Sequence, residues 1–144
     1  GCEYQGYAAD ITRTFPVSGK FSRAQKDVYE IVLAAQMAGI AAAQPAQPYN
    51  AIRDAALKVL AQGFIDLKLC KGSVDEVLES KSYKQFYMHG TGHWLGMDVH
   101  DVGEYKLDGK WRALQSSMTL TVEPGCYIRP ADDVPKALWN IGIR

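Results

Sequence analysis

Apolar residues recur at helical spacing in two long stretches of the chain, as on one face of an amphipathic helix. Ser22 and Gln25 have the form of a capping box, so the first helix is expected to begin there and to end before Gln44–Pro45. Asn50 suits the N-cap of a second helix, and Gly63 is its expected end. The predicted buried faces are Ala24, Val28, Ile31, Val32 and Ala35 in the first helix, and Ile52, Ala55, Ala56, Val59 and Leu60 in the second.

The segments at either end of the pattern are short and β-like. Tyr4–Val17 has the composition of a strand or hairpin, which would place Asp10 in or beside a strand. Thr119–Ile128 predicts a strand, a turn at Pro124–Gly125 and a returning strand. Asp108–Gly109 is a predicted hairpin tip.

A third, shorter helix completes the predicted elements. Ser73 and Glu76 form a second capping box, and the helix is expected to run to about Glu79. The resulting order of strand, helices and strands predicts an α+β domain in layers.

Composition narrows the class of protein. The 144 residues are 47% hydrophobic, enough to bury the core of one domain. Lys+Arg and Asp+Glu both number 16, so no net field exists to attract nucleic acid or a membrane surface, and neither is an expected partner. Because Cys2, Cys70 and Cys126 are odd in number and far apart, we expect reduced thiols and a cytoplasmic protein.

All three histidines fall in one short segment: His89, His93 and His100. Glycines at 90 and 92 make a helix costly there, so we expect a glycine-rich loop or edge strand with Trp94–Leu95 packed in its wall. Asp98–Asp101 is strand-like, which puts Asp98 and His100 on one face and Asp101, a turn or structural acceptor, on the other. The segment indicates an active site; the alternative is a loop packed on its own histidines.

Carboxylates supply the remaining candidate chemistry. Glu123 follows an apolar run and precedes a proline, so its carboxylate is expected to leave the end of a buried strand, where it requires a cation. A turn carboxylate facing water is the alternative. Carboxylates with an imidazole suit Mn, Co, Fe or Zn, which favours a two-metal hydrolytic site. The sequence contains no Walker loop, GxSxG elbow or HExxH motif.

Four motifs in register resemble the Xaa-Pro aminopeptidase (aminopeptidase P) family: Tyr7–Pro16, His89–Gly96, Asp98–Asp101 and Thr121–Gly125. This family belongs with prolidase, methionine aminopeptidase and creatinase. The resemblance implies their pita-bread fold, in which helices cover a curved antiparallel sheet.

The resemblance also implies roles for individual residues. Asp10, His93 and Glu123 resemble three of the five ligands of two divalent ions, with Mn²⁺ most expected and Co²⁺ or Zn²⁺ as alternatives. The other implied roles belong to residues that face the substrate or stand behind the ligands. These are His100 near the scissile carbonyl, His89 toward the proline, Tyr127 lining the site and Arg144 behind the metals.

The chain also departs from the family pattern. It opens at Gly1 without a methionine and closes on the strand-like Ile141–Arg144, so we expect residues 1–144 to be a partial catalytic domain cut at both ends. The family's other two ligands, an upstream substrate histidine and an N-terminal domain lie outside it. Gln115–Ser117 replaces a usual Glu-Pro-Gly turn. The activity of the chain on its own is left open.

The function implied for the intact enzyme is hydrolysis of the N-terminal bond before proline by a hydroxide that bridges two metal ions. Glu123 would accept the proton of the attacking water, and His100 would stabilise the oxyanion. The expected partners are a peptide with proline at its second position and further copies of the protein in a homo-oligomer. The alternatives are a prolidase that cleaves only Xaa-Pro dipeptides and a catalytically dead pita-bread module that binds proteins.

Overall fold

Two long helices that share an apolar interface form the framework of the structure, a computed structural model that describes residues 1–144. Helix α1 spans Arg23–Ala42, and the predicted capping box closes its N-terminus. The Ser22 side chain accepts from the Gln25 amide, and the Gln25 side chain accepts from the Ser22 amide. The predicted face is correct, because Val28, Val32 and Ala35 are buried.

Helix α2 spans Asn50–Asp66 and corrects both predicted ends. Tyr49 occupies the N-cap position, and Asn50 instead donates its side-chain amide to Asp54. Gly63 does not end the helix. It is buried against α1, where a Cβ would stand 2.4 Å from Ile31 Cγ2. The glycine therefore allows two helices to approach closely, a tertiary requirement that resembles a C-cap in the sequence.

The third helix, α3, spans Val74–Ser80 and confirms the predicted capping box of Ser73 and Glu76. It ends at Lys81, whose backbone is left-handed with φ of 59°. A 3₁₀ turn follows at Ser82–Gln85, and a second one occurs at Lys136–Leu138.

The strands form three antiparallel pairs of two residues each. Their bounds are Glu3–Tyr4 (β1) with Tyr7–Ala8 (β2), Lys106–Leu107 (β3) with Lys110–Trp111 (β4), and Cys126–Tyr127 (β5) with Gly142–Ile143 (β6). The predicted hairpin tip is confirmed: Asp108 and Gly109 both have positive φ, 49° and 76°, as a type I′ turn requires. The predicted β-like segment at Tyr4–Val17 is shorter than expected, because regular pairing ends at Ala8.

A longer backbone ladder joins residues 91–95 to residues 119–123. Leu95 N–H donates to Thr119 O at 3.1 Å, Thr121 N–H to His93 O at 2.9 Å, and Glu123 N–H to Thr91 O at 2.7 Å. The two segments run antiparallel, and an isolated bridge pairs Trp94 with Leu120.

The predicted turn at Pro124–Gly125 is wrong. Tyr127 N–H donates to Phe86 O at 2.9 Å, so the chain continues past Pro124–Gly125 in the direction of the ladder. Both residues are buried, whereas a reversing turn would reach the surface. A Cβ at Gly125 would stand 3.1 Å from Ile143 O, so the glycine lets β6 approach.

The main core lies between α1, α2 and the β5–β6 pair, with Val28, Leu60, Phe64, Cys126 and Ile143 among its buried members. A second, smaller cluster of Ile52, Trp94 and Leu114 supports the ladder. The predicted mixed α+β class is confirmed at this level. None of the helices combines the length and apolar character needed to cross a bilayer.

Replacing Gly63 with alanine should lower the free energy of unfolding by about 1–3 kcal/mol, because the added methyl group would overlap the Ile31 side chain. Intrinsic helix propensity alone would give the opposite sign, by about 1 kcal/mol. Urea unfolding measures the difference. Lys58→Ala, at an exposed position of the same helix, should stay within about 0.5 kcal/mol of the parent protein. A stabilised Gly63→Ala would contradict the close approach of the helices.

Candidate metal centre

The side chains of Asp10, His93 and Glu123 converge on one point of the structure. One ligand atom from each lies within 4.8 Å of the other two. His93 Nε2 is 3.1 Å from Asp10 Oδ2 and 3.0 Å from Glu123 Oε1. The His93 and Glu123 side chains are only 14% and 12% exposed, and Asp10 is 25% exposed, so water screens the cluster weakly.

Backbone pairing brings these three residues together. His93 and Glu123 lie on opposite segments of the 91–95/119–123 ladder, whose register sets their separation. Asp10 follows the β1–β2 hairpin, and Ala8 N–H of β2 donates to Gly96 O at 2.8 Å. That bond attaches the hairpin to the chain just beyond His93, and the carboxylate of Asp10 completes the cluster.

The imidazole of His93 has a defined tautomer. Nδ1 is 2.8 Å from Trp94 O, and a carbonyl oxygen can only accept, so Nδ1 carries the proton. In the neutral ring Nε2 then offers a lone pair toward the carboxylate oxygens of Asp10 and Glu123. Three electron-rich atoms at this distance repel one another unless a cation lies among them. Metal-binding histidines commonly have this arrangement, with one ring nitrogen bonded to a backbone carbonyl and the other facing the ion.

Both oxygens of the Glu123 carboxylate have a partner. The Thr121 hydroxyl donates to Oε1 at 2.7 Å, and the Arg144 guanidinium forms an ion pair with Oε2. Arg144 is held in turn by Thr14, whose hydroxyl accepts from its backbone N–H at 3.1 Å and donates to its backbone carbonyl at 2.9 Å. Arg144 thus lies beside Glu123, one of the three candidate ligands.

His89 lies beside the cluster and is bonded at both ring nitrogens. Nδ1 is 2.7 Å from Gly90 O, so it carries the proton, and Nε2 accepts from the Tyr127 hydroxyl at 2.7 Å. Burial lowers the pKa of His89 below its usual 6.5; the Gly90 hydrogen bond opposes this shift and the positive charge of Arg144 adds to it. Burial and the hydrogen bond from the Tyr127 hydroxyl both favour a neutral ring.

His100 is exposed and meets His93 edge to face, with ring centroids 4.4 Å apart. The predicted strand at Asp98–Asp101 is wrong, because these residues form a tight bend. Gly96 N–H donates to Asp98 O, and Asp101 N–H donates to Trp94 O. The bend, rather than strand alternation, carries His100 back over His93. The predicted role of Asp101 as a structural acceptor agrees with its side chain, which accepts from the Asp98 amide at 3.5 Å.

Two residues beside the cluster received no role from the sequence. Thr121 lies within one of the quoted motifs, but its hydroxyl contacts both His93 and Glu123 only in the folded chain. Tyr49 donates its hydroxyl to Gly92 O at 2.7 Å and packs on Trp94, so it supports the loop before His93. The sequence could have indicated the contact between Thr121 and Glu123, because side chains two residues apart on a strand share a face. It could not have indicated the contact of Tyr49 with Gly92, because these residues are 43 positions apart.

The donor set fits a divalent cation. Two carboxylates and one imidazole nitrogen are the ligands that Mn, Fe, Co and Zn accept, and a single histidine among oxygens does not resemble a structural zinc site built from cysteines. The cluster is also partly open to solvent, with Asp10 at 25%, which leaves room for further ligands. In the absence of a cation these atoms would need a proton between them.

Known proteins match this chain over its whole length. A model of metallopeptidase family M24 covers residues 1–144. The Xaa-Pro aminopeptidase of Haemophilus influenzae is 51% identical over 144 residues, which are 100% of this chain and 33% of that protein. The structure of Pseudomonas aeruginosa aminopeptidase PepP matches with a TM-score of 0.97 and 50% identity, covering 100% of this chain and 33% of that one. A zinc-substituted Escherichia coli aminopeptidase P in complex with product matches with a TM-score of 0.93 and 46% identity, covering 100% and 32%. The chain therefore spans about a third of the length of these relatives.

Divalent ions should stabilise the fold through Asp10, His93 and Glu123. At a free Mn²⁺ or Zn²⁺ concentration of a hundred times Kd, the gain is about 2.7 kcal/mol for one site, and thermal unfolding with and without chelator measures it. Asp10→Asn should lose most of the gain, because an amide oxygen is a weaker, uncharged ligand. Asp98→Asn, exposed and outside the cluster, should keep it. A gain that Asp10→Asn retains in full would place the ion elsewhere.

His89 should titrate below pH 6.5 in the folded, metal-free protein, which NMR of its ring protons can follow. Because the unfolded state then binds the proton more readily, the His89 contribution to stability is full above pH 6.5 and is lost as the pH falls below it. His89→Gln should flatten this part of the stability profile. A folded-state pKa at or above 6.5 would show that burial does not control this ring.

Proposed function

Because this chain belongs to metallopeptidase family M24, we propose that its protein is a metal-dependent aminopeptidase that hydrolyses the peptide bond between an N-terminal residue and a following proline. The similarity to Xaa-Pro aminopeptidases extends over the whole chain, while the chain spans about a third of their length. The proposal therefore concerns the protein as a whole, with residues 1–144 as part of its catalytic domain. It includes the pita-bread fold, in which these helices cover a curved antiparallel sheet.

One observation carries the proposal. Nε2 of His93, on the ring whose Nδ1–H donates to Trp94 O, faces carboxylate oxygens of Asp10 and Glu123 at 3.1 and 3.0 Å, an arrangement that needs a proton or a metal cation among the three atoms. These three residues would hold divalent ions, which we propose to be two Mn²⁺, with Co²⁺ or Zn²⁺ as alternatives. When bound, such ions supply Lewis acidity that polarises a carbonyl and lowers the pKa of water.

We assign Glu123 the role of accepting the proton of the attacking water. Its carboxylate is held between the Thr121 hydroxyl and the Arg144 guanidinium, so it cannot rotate freely away from the reaction. A fixed acceptor loses less entropy when it takes the proton, and positioned general bases contribute about 10²–10⁴-fold to rate. Arg144 also places a positive charge beside Oε2, which stabilises the carboxylate while no substrate is bound.

The histidines around the cluster suit two sides of a peptide. His100 is exposed and stands over His93, where it can donate a hydrogen bond to the oxyanion of the scissile carbonyl. His89 is bonded at both nitrogens and presents an uncharged ring, which suits contact with the apolar pyrrolidine of proline. Tyr127 holds the His89 ring in this orientation and lines the same side of the site.

The decisive experiment compares peptides with the metal-loaded, full-length protein. An Xaa-Pro-Xaa tripeptide should be cleaved after its first residue, and the matched Xaa-Ala-Xaa tripeptide should be cleaved poorly, because only proline completes the contact with His89. Cleavage of an Xaa-Pro dipeptide without cleavage of the tripeptide would make the protein a prolidase instead. Bound metal without cleavage of any of these peptides would favour a binding module.

Glu123→Gln should lower kcat on the tripeptide by about 10²–10⁴-fold at equal metal content, because glutamine cannot accept the proton. Metal analysis of each preparation keeps loss of ion separate from loss of the base. Glu104→Gln, an exposed carboxylate outside the cluster, is the matched control and should retain the parent rate. Equal rates for Glu123→Gln and the parent protein would remove this role from Glu123.

A further inference from the structure

We propose that Thr121 is a positioning residue that holds His93 and Glu123 as one preformed unit for the divalent cation. The inference rests on the proposed function for its catalytic consequence, but the geometry that supports it stands apart from catalysis. Thr121 is half-buried between the two candidate ligands and does not belong to the convergent cluster itself.

The hydroxyl of Thr121 makes two hydrogen bonds whose directions are both fixed. The backbone N–H of His93 can only donate, so Thr121 Oγ1 accepts it at 3.0 Å. The ionised carboxylate of Glu123 can only accept, so the single hydroxyl proton goes to Oε1 at 2.7 Å. Because the hydroxyl has one proton, neither bond can reverse. One side chain thus joins the main chain of one ligand to the carboxylate of the other.

The backbone reinforces this link. Thr121 N–H donates to His93 O at 2.9 Å, so Thr121 and His93 are bonded by main chain as well as by side chain. Gly92 brings the segments unusually close, since a Cβ there would stand 1.9 Å from Thr121 O. Glu123 is two residues from Thr121, and on an extended strand both side chains project from the same face. The hydroxyl is therefore fixed in the position from which it can reach Oε1.

Fixing Oε1 matters because it is the oxygen nearest to His93 Nε2, at 3.0 Å. The terminal torsion of a glutamate is broad, so a free carboxylate samples many orientations. The Thr121 bond to Oε1, with the Arg144 ion pair on Oε2, selects one in which Oε1 faces the imidazole nitrogen. A carboxylate that is already oriented loses less entropy when it binds an ion. Partners of this kind, bonded to a metal ligand, typically change metal affinity by about 10–100-fold when removed.

A merely structural role for the hydroxyl would have a different signature. The hydrogen bond to the His93 amide could stabilise the ladder without any effect on the ion. Loss of Thr121 would then lower the stability of the metal-free protein, and metal affinity would follow only as far as the ladder itself was disordered. Metal affinity and metal-free stability must therefore be measured separately.

The test uses Thr121→Val, which keeps the shape and removes the hydroxyl, and Thr121→Ser, which keeps the hydroxyl. Thr119→Val is the matched control, because Thr119 lies on the same segment with an exposed side chain. Mn²⁺ and Zn²⁺ binding to the metal-free, full-length proteins is measured by titration calorimetry. Chemical unfolding of the same metal-free samples gives their stability.

We expect Thr121→Val to raise the Kd for the ion by about 10–100-fold, while Thr121→Ser and Thr119→Val remain close to the parent protein. In kinetics at saturating metal, kcat should fall for Thr121→Val more than KM changes, because the oriented carboxylate acts on water rather than on the peptide.

Three results would overturn the positioning role: unchanged metal affinity in Thr121→Val, failure of serine to restore it, or a loss of affinity that simply tracks a loss of metal-free stability. These results are distinct from failure of the proposed function. Tight metal binding by the parent protein without cleavage of Xaa-Pro peptides would reject the aminopeptidase and still leave the affinity comparison valid. A parent protein that binds no divalent ion would reject both.

Discussion

The site depends on the register of one backbone ladder. Bonds from Leu95, Thr121, Glu123 and Tyr127 tie the segment of residues 86–95 to the segment of residues 119–127. Side chains alternate along such segments, so a slip of one residue would turn the carboxylate of Glu123 away from His93. Gly92 and Gly125 in these segments are required for closeness rather than for flexibility, because a Cβ at Gly92 would overlap Thr121 O and one at Gly125 would crowd Tyr127 Oη and Ile143 O. Packing from α1 and α2 supports this ladder from beneath through Gly39 and Ile52, which meet Val122.

The charges of the site follow from the same geometry. Asp10 reaches the ladder from a separate hairpin, and Arg144 reaches it from β6, each through its own backbone or hydroxyl contact. The carboxylates of Asp10 and Glu123 therefore lie close together and largely out of water. The one positively charged side chain paired with them is Arg144, which contacts a single oxygen of Glu123. Nε2 of His93 stands between carboxylate oxygens of Asp10 and Glu123, so a proton or a metal cation is needed among them. Electrostatics thus make the cluster incomplete by itself, which is the physical reason to expect metal chemistry from it.

Local signals in the sequence predicted local structure well. Both capping boxes, the helical faces and the Asp108–Gly109 turn depend on neighbours in the chain, and all are present. The errors at Gly63 and at Pro124–Gly125 share one cause: a residue typical of a helix end or a turn was used for close packing between segments. The convergence of Asp10, His93 and Glu123 was expected from the family resemblance rather than from spacing. The contacts of the Thr121 hydroxyl with His93 and of the Thr14 hydroxyl with Arg144 cross the fold, so no pattern of adjacent residues could reveal them.

The contacts that bring these side chains together join distant parts of the chain. Asp10 and His93 are 83 positions apart, and Thr14 and Arg144 are 130 apart. A ribosome adds about 5–20 residues per second, so the segment with Asp10 emerges many seconds before Arg144. In that interval α1 and α2 can form from local interactions, but the residues that contact Asp10 and Glu123 in the folded protein have not all been synthesised. A nascent chain therefore offers a cation no convergent cluster until the segments that carry Asp10, His93 and Glu123 have all emerged and paired.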